Sequence, residues 1–369
     1  MQKRIVVVLG MHRSGTSVIT RALQVLGVEL GDRLMPPIEG NNNKGFWEDL
    51  DVNALNIDLL SSLGHDWHTL TPVLPEEVAR LAEGEFKLRA VEILRGKLSL
   101  GGIFGLKDPR IARVLPFWKA VFAHMHLCVS YVIASRNPMS VARSLRKRDG
   151  YDLEKGYYLW LEHTIACLVH TQGECRIVVE YDRMLEDPAL QLSRMAGVLN
   201  LPFNRHSAAY SEYEGQFLET SLQHSKYEVA DLALDAAVPA DVAALYSLLV
   251  KIAADELLLD DRQVVEEITR QNERVHANRP ALAYMRINEE RVVERDKQIA
   301  EREGQIASLN HVVAEREKQL VERDGQIARL NQAVAERDRQ IAAIMQSSSW
   351  RVTAPLRAMG RFIREKGRS

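Results

Sequence analysis

Residues 10–17, Gly-Met-His-Arg-Ser-Gly-Thr-Ser, bring two glycines, a guanidinium and three hydroxyls together in one short stretch. Such a set can hold a phosphate or a related anion. Backbone N–H groups of a tight loop and of a helix N-terminus converge on one point, and the helix dipole favours negative charge there. Gly10 and Gly15 permit backbone angles and close approach that side chains would block. The spacing Gly10-x-x-x-x-Gly15-Thr16-Ser17 is that of a Walker A loop with one change: Thr16 stands where the nucleotide-binding lysine belongs. The cation sits inside the loop instead, at Arg13. That change argues against an ordinary ATPase or GTPase. The plain alternative is a strand–turn–helix with Arg13 in solvent. Strand, glycines, cation and hydroxyls agree on phosphate binding.

Other groups could serve the same anion. Arg136 closes the apolar run 130–135, Pro138 opens a helix, and Ser144 lies on it. An arginine there offers a forked, permanently charged phosphate contact. Lys107 ends a second apolar run, where ligands of open α/β sheets gather. Asp108 before Pro109 reads as a helix N-cap, and Arg110 is a further cation. Glu48 and Asp49, in Gly45-Phe-Trp-Glu-Asp-Leu-Asp51, are carboxylates that could take a proton, Glu48 first and Asp49 second. Glu48 could equally cap a helix beginning near Asp51. The Asn-rich stretch 41–43 reads as a loop at a substrate edge. His65, Asp66 and Trp67 could line an acceptor cleft, although a packed tryptophan beside a satisfied histidine is the commoner arrangement.

The segment His12-Arg-Ser-Gly-Thr-Ser17 resembles the 5′-phosphosulfate loop of the sulfotransferases. Its Arg-Ser-Gly-Thr form is closer to the protein-tyrosine sulfotransferases and bacterial relatives than to the cytosolic enzymes, which carry lysine there. The resemblance implies 3′-phosphoadenosine 5′-phosphosulfate as co-substrate, held by Gly10, His12, Arg13, Ser14, Gly15, Thr16 and Ser17. It implies that Arg136 and Ser144 hold the 3′-phosphate, and that Lys107 of Lys-Asp-Pro faces the sulfuryl group. The segment Val179-Glu-Tyr-Asp-Arg-Met-Leu-Glu-Asp-Pro188 matches a strand–Tyr–Asp-Pro–helix piece of the family, fold-specifying rather than catalytic. The likeness covers the first two-thirds of the chain and none of the tail.

Sulfuryl transfer builds charge on the leaving phosphate, which cations must meet. Arg13 and Lys107 suit that task, with Glu48 as the base; around Glu48 the local sequence departs from the family. No metal is expected, because no carboxylate cluster suggests one and His124-x-His126 is more often structural. The acceptor is expected to be a hydroxyl or amine, on a glycan or glycoconjugate.

The elements that must place these groups are legible as apolar runs. Residues 5–9, 103–106, 129–134 and 177–179 are continuous or nearly so, with helical patterns between them. This predicts an α/β fold of P-loop type, a parallel sheet with helices on both faces, over residues 1–270. A polar linker is expected over 271–288. From 289 to 346 runs a heptad array, with Ile299, Ile306, Val313, Leu320, Ile327, Val334 and Ile341 seven residues apart. Its companion position alternates Arg302, Leu309, Arg316, Arg323, Leu330 and Arg337, so one seam position is reliably apolar where a strong coiled coil has two. Self-association is favoured over a solvated single helix. The stretch 347–369 is basic with interspersed apolar residues. It could lie on an anionic membrane surface, or be a frayed tail. It resembles the Ser-Trp-Arg-x-Thr-x-Pro-Leu tails of bacterial surface-polysaccharide glycosyltransferases, which hints at glycan assembly near the inner membrane.

A net charge of −2 gives no pull toward nucleic acid. The scattered Cys128, Cys167 and Cys175 fit a reducing compartment. The apolar part of residues 1–10 is too short for a signal peptide and reads as a buried strand. A cytoplasmic protein at the inner membrane face is expected. Two other classes stand beside the transferase: a P-loop small-molecule kinase, which Thr16 and the Arg136/Ser144 pair disfavour, and a coiled-coil scaffold carrying a relic nucleotide domain.

Overall fold

A computed structural model describes residues 3–38, 44–99, 102–218 and 227–366. The Asn-rich stretch 41–43 lies outside the described residues. Four strands form one parallel sheet: β1 (Arg4–Leu9), β2 (Ile103–Lys107), β3 (Cys128–Ser135) and β4 (Arg176–Glu180). All four expected runs are strands. Along β1, Ile5, Val7 and Leu9 enter one core and Val6 and Val8 the other. This period-2 alternation with both faces apolar is what a sheet covered on both sides requires.

The helices that clothe the sheet are α1 (Thr16–Val25), α2 (Leu50–Ser62), α3 (Pro75–Leu81), α4 (Glu85–Lys97), α5 (Ile111–His124), α6 (Pro138–Asp149) and α7 (Leu153–His170). They are followed by α8 (Tyr181–Glu186), α9 (Pro188–Leu199), α10 (Ala208–Glu212), α11 (Val229–Leu234), α12 (Ala240–Ala253) and α13 (Arg262–Ala277). α1 and α9 pack on the Val6/Val8 face; α2, α5, α7 and α12 pack on the other. A π-helical turn at Tyr213–Phe217 follows α10, and the Tyr213 hydroxyl donates to the Val18 carbonyl of α1 at 3.1 Å.

The strand order is β2-β1-β3-β4. The chain leaves β1 toward one edge, then returns past it to build β3 and β4 on the other side. Loops following β1 and β3 therefore diverge, and open the crevice where doubly wound sheets bind ligands. Residues 10–15 follow β1, and Arg136 follows β3.

Two stretches differ from expectation. Residues 271–288, read as a linker, are helical. α13 continues through Gln271, which is buried, and α14 (Arg279–Gln346) starts immediately, with Leu282 in the main core. Pro280 does not interrupt α14, because a first-turn proline forfeits no helical hydrogen bond. The compact unit accordingly runs to Asn288. Asp108 accepts from the Arg110 N–H at 2.9 Å, as a cap does, but it caps the turn that leads into α5, which itself begins later, at Ile111.

The second unit spans Glu289–Ser369. Within it α14 is unbroken to Gln346, and the Ile299-to-Ile341 heptad series is more than half exposed throughout. α15 (Ser348–Val352) and α16 (Ala354–Lys366) follow. Among the described residues, no helix is long and apolar enough to cross a membrane.

Candidate functional site

The loop after β1 is shaped by two glycines that no other residue replaces. Gly10 has φ +142°, and a Cβ there would come within 2.7 Å of the Ala134 carbonyl. Gly15 has φ +81°, and its Cβ would sit 2.2 Å from the Tyr181 ring. Between them Arg13 also has positive φ, 69°. That is a costly conformation for a side-chain-bearing residue, sustained by its surroundings. Arg13 Nε donates to Ser144 Oγ at 2.7 Å. Gly15 caps α1, so Thr16 and Ser17 open the helix, with no acidic residue in its first turn. Ser14 Oγ and Arg136 Nε are buried without hydrogen-bond partners. Buried polar atoms are rarely left so. Ser14 Oγ, beside the N-terminus of α1, and Arg136 Nε, at the end of β3, are each suited to receive a phosphate or sulfate oxygen.

Arg136 projects from the end of β3. Its Nη1 donates to the Arg13 carbonyl at 3.2 Å, and its guanidinium lies 4.3 Å from the centre of the Tyr181 ring. The Trp160 indole N–H holds the Arg136 carbonyl at 3.1 Å. Arg13 thus stands between the two members of the expected Arg136/Ser144 pair, bonded to one through its side chain and to the other through its backbone. Burial, then the charges of Arg148 and Arg136, lower the proton affinity of Arg13. Guanidiniums packed this closely attract an anion.

His12 is half-buried, with Nε2 enclosed and unpartnered and its ring 4.4 Å from that of Trp67. Burial, then the positive charges of Arg110 and Arg148, push its pKa well below the usual histidine value. His12 is therefore a neutral, packed group at pH 7.

The second cluster joins β2 to the segment before α2. Lys107 Nζ donates to Glu48 Oε1 at 2.7 Å and to the Phe46 carbonyl at 2.7 Å. That same carbonyl accepts from Ser17 Oγ at 3.2 Å. One oxygen therefore links the first turn of α1, the lysine and, through the lysine, the carboxylate. Glu48 Oε2 also accepts from Asn53 of α2 at 3.2 Å, and Arg110 lies 3.8 Å away. An ammonium has three donors, and two are used by these partners. Glu48 and Lys107 are 4% and 3% exposed. Burial raises the Glu48 pKa above the usual carboxylate value; the Lys107 charge opposes it and Asp108 adds to it.

Asp49, the second candidate base, is committed elsewhere. It caps α2 by accepting from the Asp51 N–H at 3.0 Å, and it pairs with Lys97 at 2.7 Å. The cap expected of Glu48 belongs to Asp49, because Asp49 directly precedes Leu50, the first helical residue. Glu48 is left facing the sheet.

Several participants were not singled out from the sequence. Arg148 lies 5.1 Å from the Trp67 ring centre and pairs with Asp149 at 2.8 Å. It is four residues after Ser144 on α6, so helical spacing alone could have placed it on the same face. Tyr181 forms the floor under Gly15 and the stacking surface for Arg136. Lys97, from α4, grips Asp32, Asp49 and Asp51 together and so fixes the turn that presents Glu48. Arg113 donates to the Asp66 and Thr71 carbonyls and pairs with Glu162 at 3.4 Å. It holds the turn carrying Trp67. His65 is buried beside it, brought down to about 4 by burial and by the Arg113 charge. Trp67 is half-buried against the His12 ring, and His65 is buried with Nδ1 unpartnered. Among the described residues, no three His, Cys, Asp or Glu groups gather as a metal site.

No family model and no curated protein matches this chain. Three solved structures to which it is similar are sulfotransferases. The sulfotransferase domain from the Synechococcus PCC 7002 olefin synthase is 17% identical over 68% of this chain and 96% of its own, with a TM-score of 0.41. The sulfotransferase domain from the curacin biosynthetic pathway is 16% identical over 74% and 97%, at 0.36. Sulfotransferase STF1 from Mycobacterium tuberculosis is 13% identical over 69% and 77%, at 0.34. At such scores the likeness bears on neither activity nor substrate.

Proposed function

We propose that this chain is a sulfotransferase that moves a sulfuryl group from 3′-phosphoadenosine 5′-phosphosulfate to an acceptor hydroxyl or amine. The observation that carries the proposal is the Phe46 carbonyl, shared by Ser17 of the anion loop and by Lys107, which in turn holds Glu48. That shared carbonyl supports reading the loop, Lys107 and Glu48 as one hydrogen-bonded unit of anion cradle, cation and base, as in-line transfer to a protic acceptor requires.

The donor supplies an activated S–O bond to a phosphate leaving group. The loop amides, Arg13 and Ser14 bind the 5′ end. Arg136 and Ser144, on either side of Arg13, serve the 3′-phosphate. Lys107 meets the charge that grows on the bridging oxygen. Glu48 takes the proton that the acceptor oxygen loses as its bond to sulfur forms. Its raised pKa makes it a stronger base than a solvated carboxylate. A glycan-type acceptor is proposed from the resemblance of the 347–369 tail to those of polysaccharide glycosyltransferases.

Binding of 3′,5′-adenosine bisphosphate is expected to raise the melting temperature several degrees, and ADP or ATP far less. A bisphosphate Kd about 100-fold below its concentration corresponds to about 2.7 kcal/mol. Arg136→Ala should erase the preference for the bisphosphate while leaving ADP binding little changed. Equal shifts for all three nucleotides would point to the kinase; no shift with any would point to the scaffold. Labelled-donor transfer to a panel of glycans, phenols and amines identifies the acceptor.

We further propose that α14 self-associates through the heptad face. An exposed stripe of seven β-branched or leucine residues on one helix is best covered by copies of itself. Removing Glu289–Ser369 should lower the oligomer number by light scattering and leave the bisphosphate shift intact. An unchanged number rejects self-association.

A further inference from the structure

α14 stops at Ser347, whose Oγ accepts from the Trp350 N–H at 3.3 Å and so caps α15. Arg357 then clasps α15 to α16. Its guanidinium lies 3.5 Å from the centre of the Trp350 ring, and it donates to Thr353 Oγ1 at 2.6 Å and to the Trp350 carbonyl. The elbow is thus a built feature rather than a frayed end.

Beyond the elbow, α16 has two distinct faces. Leu356, Met359 and Ile363 fall at i, i+3 and i+7, on one stripe, and are 68%, 61% and 64% exposed. Arg357, Arg361 and Arg364 fall at i, i+4 and i+7, on another. Across Ser347–Lys366 four arginines and one lysine stand against a single carboxylate, Glu365. This last point decides among occupants. A second copy of α16 would set arginine rows near one another with one carboxylate per copy, Glu365, to pair them. An acidic protein groove would satisfy the charges but would have to match the apolar stripe as well. An anionic bilayer surface satisfies both at once. The apolar stripe enters the acyl boundary, and the Arg361 and Arg364 guanidiniums reach back to headgroup phosphates.

We propose that α15–α16 is a peripheral anchor that lies flat on an anionic lipid surface. The segment is too short to span a bilayer, which takes about 20 apolar residues. Lipid charge recognises the arginine row, and the Trp350–Arg357 clasp sets the angle at which α16 leaves the elbow.

Flotation of the full-length protein with vesicles tests this directly. It is expected to float with phosphatidylcholine vesicles containing about 30% phosphatidylglycerol, not with phosphatidylcholine alone, and to be released near 0.5 M salt. Arg361→Gln with Arg364→Gln should lower partitioning roughly 30-fold, at about 1 kcal/mol for each arginine near the surface. Arg361→Lys with Arg364→Lys should retain it, because a bilayer reads charge rather than fork geometry. Met359→Asp with Ile363→Asp should abolish it while the bisphosphate-induced rise in melting temperature persists. Equal binding to neutral and anionic vesicles, or none to either, overturns the proposal. Lysine variants that fail as the glutamine variants do would indicate a protein partner and overturn it as well. So would a smaller oligomer in the aspartate variant, which would mean that α16 packs on its own copies.

Discussion

Glu48→Gln is expected to lower kcat by about 10²- to 10⁴-fold and to leave bisphosphate binding unchanged, the range associated with removing a positioned base. Glutamine keeps the shape and its one carbonyl oxygen can still accept from Lys107, while Asn53 keeps its bond to Asp108, so the fold should persist. The pH profile separates a base from a mere spacer. Burial raises the Glu48 pKa, so in the native enzyme the proton is lost at higher pH than from an exposed glutamate, whose ordinary value is 4.5. Activity that needs the ionised form therefore falls as pH drops through that raised value, and the acid limb of kcat/KM lies above 4.5. In Glu48→Gln that limb should vanish. A variant retaining more than a tenth of the activity, or keeping the limb, would remove Glu48 from the base's role.

The partner of Glu48 gives the complementary test. Lys107→Ala leaves a buried carboxylate with its ion-pair partner gone, and breaking such a pair costs about 3–5 kcal/mol. The deficit has a definite sign with pH. A carboxylate whose folded pKa is raised is most tolerable when protonated. Stability of Lys107→Ala should therefore improve as pH falls toward 5 and worsen as pH rises. Adding Glu48→Gln should restore much of it at neutral pH, a coupling that a double-mutant cycle measures directly. Additive losses would mean that the 2.7 Å pair contributes nothing specific.

Gly15→Ala carries the second large effect. The position has φ +81°, and the added methyl would sit 2.2 Å from Tyr181 Cδ2. A left-handed conformation costs a side-chain-bearing residue about 1–2 kcal/mol. Overpacking adds about 1–3 kcal/mol more. The total should lower the melting temperature by several degrees, and the displaced loop amides should eliminate the bisphosphate shift. Tyr181→Ala in the same chain should return only the collision part, since the backbone penalty stays. Native-like nucleotide binding by Gly15→Ala would exclude this loop from the donor site.

Much of the frame was legible because it rests on local rules. Four apolar runs became four strands, since a sheet covered on both faces leaves no polar position in its centre. Gly10, Gly15 and Pro138 each announced a backbone conformation. The groups around them were harder to read. Whether Glu48 or Asp49 capped α2 turned on one residue of helix boundary, which periodicity does not resolve. Lys97 and its three aspartates come from α4, α2 and the loop after α1, and no spacing links them. Arg113, Glu162 and His65 likewise meet only through packing. The polar stretch 271–288 misled because surface helices are polar too, and a first-turn proline looks like a breaker until its position in the helix is known.

The place of β1 in the sheet has a consequence for biosynthesis. β1 comprises residues 4–9, yet its two neighbours are residues 103–107 and 128–135. The most apolar strand is therefore made well before either of its partners. At translation rates of about 5–20 residues per second, on the order of 5–20 s pass before β2 exists to cover either edge of it. For that interval Ile5-Val-Val-Val-Leu9 is an uncovered template for pairing with other chains. Newly made protein should therefore depend on chaperone capacity far more than its finished core would suggest, and aggregates formed on overexpression should be seeded from this segment.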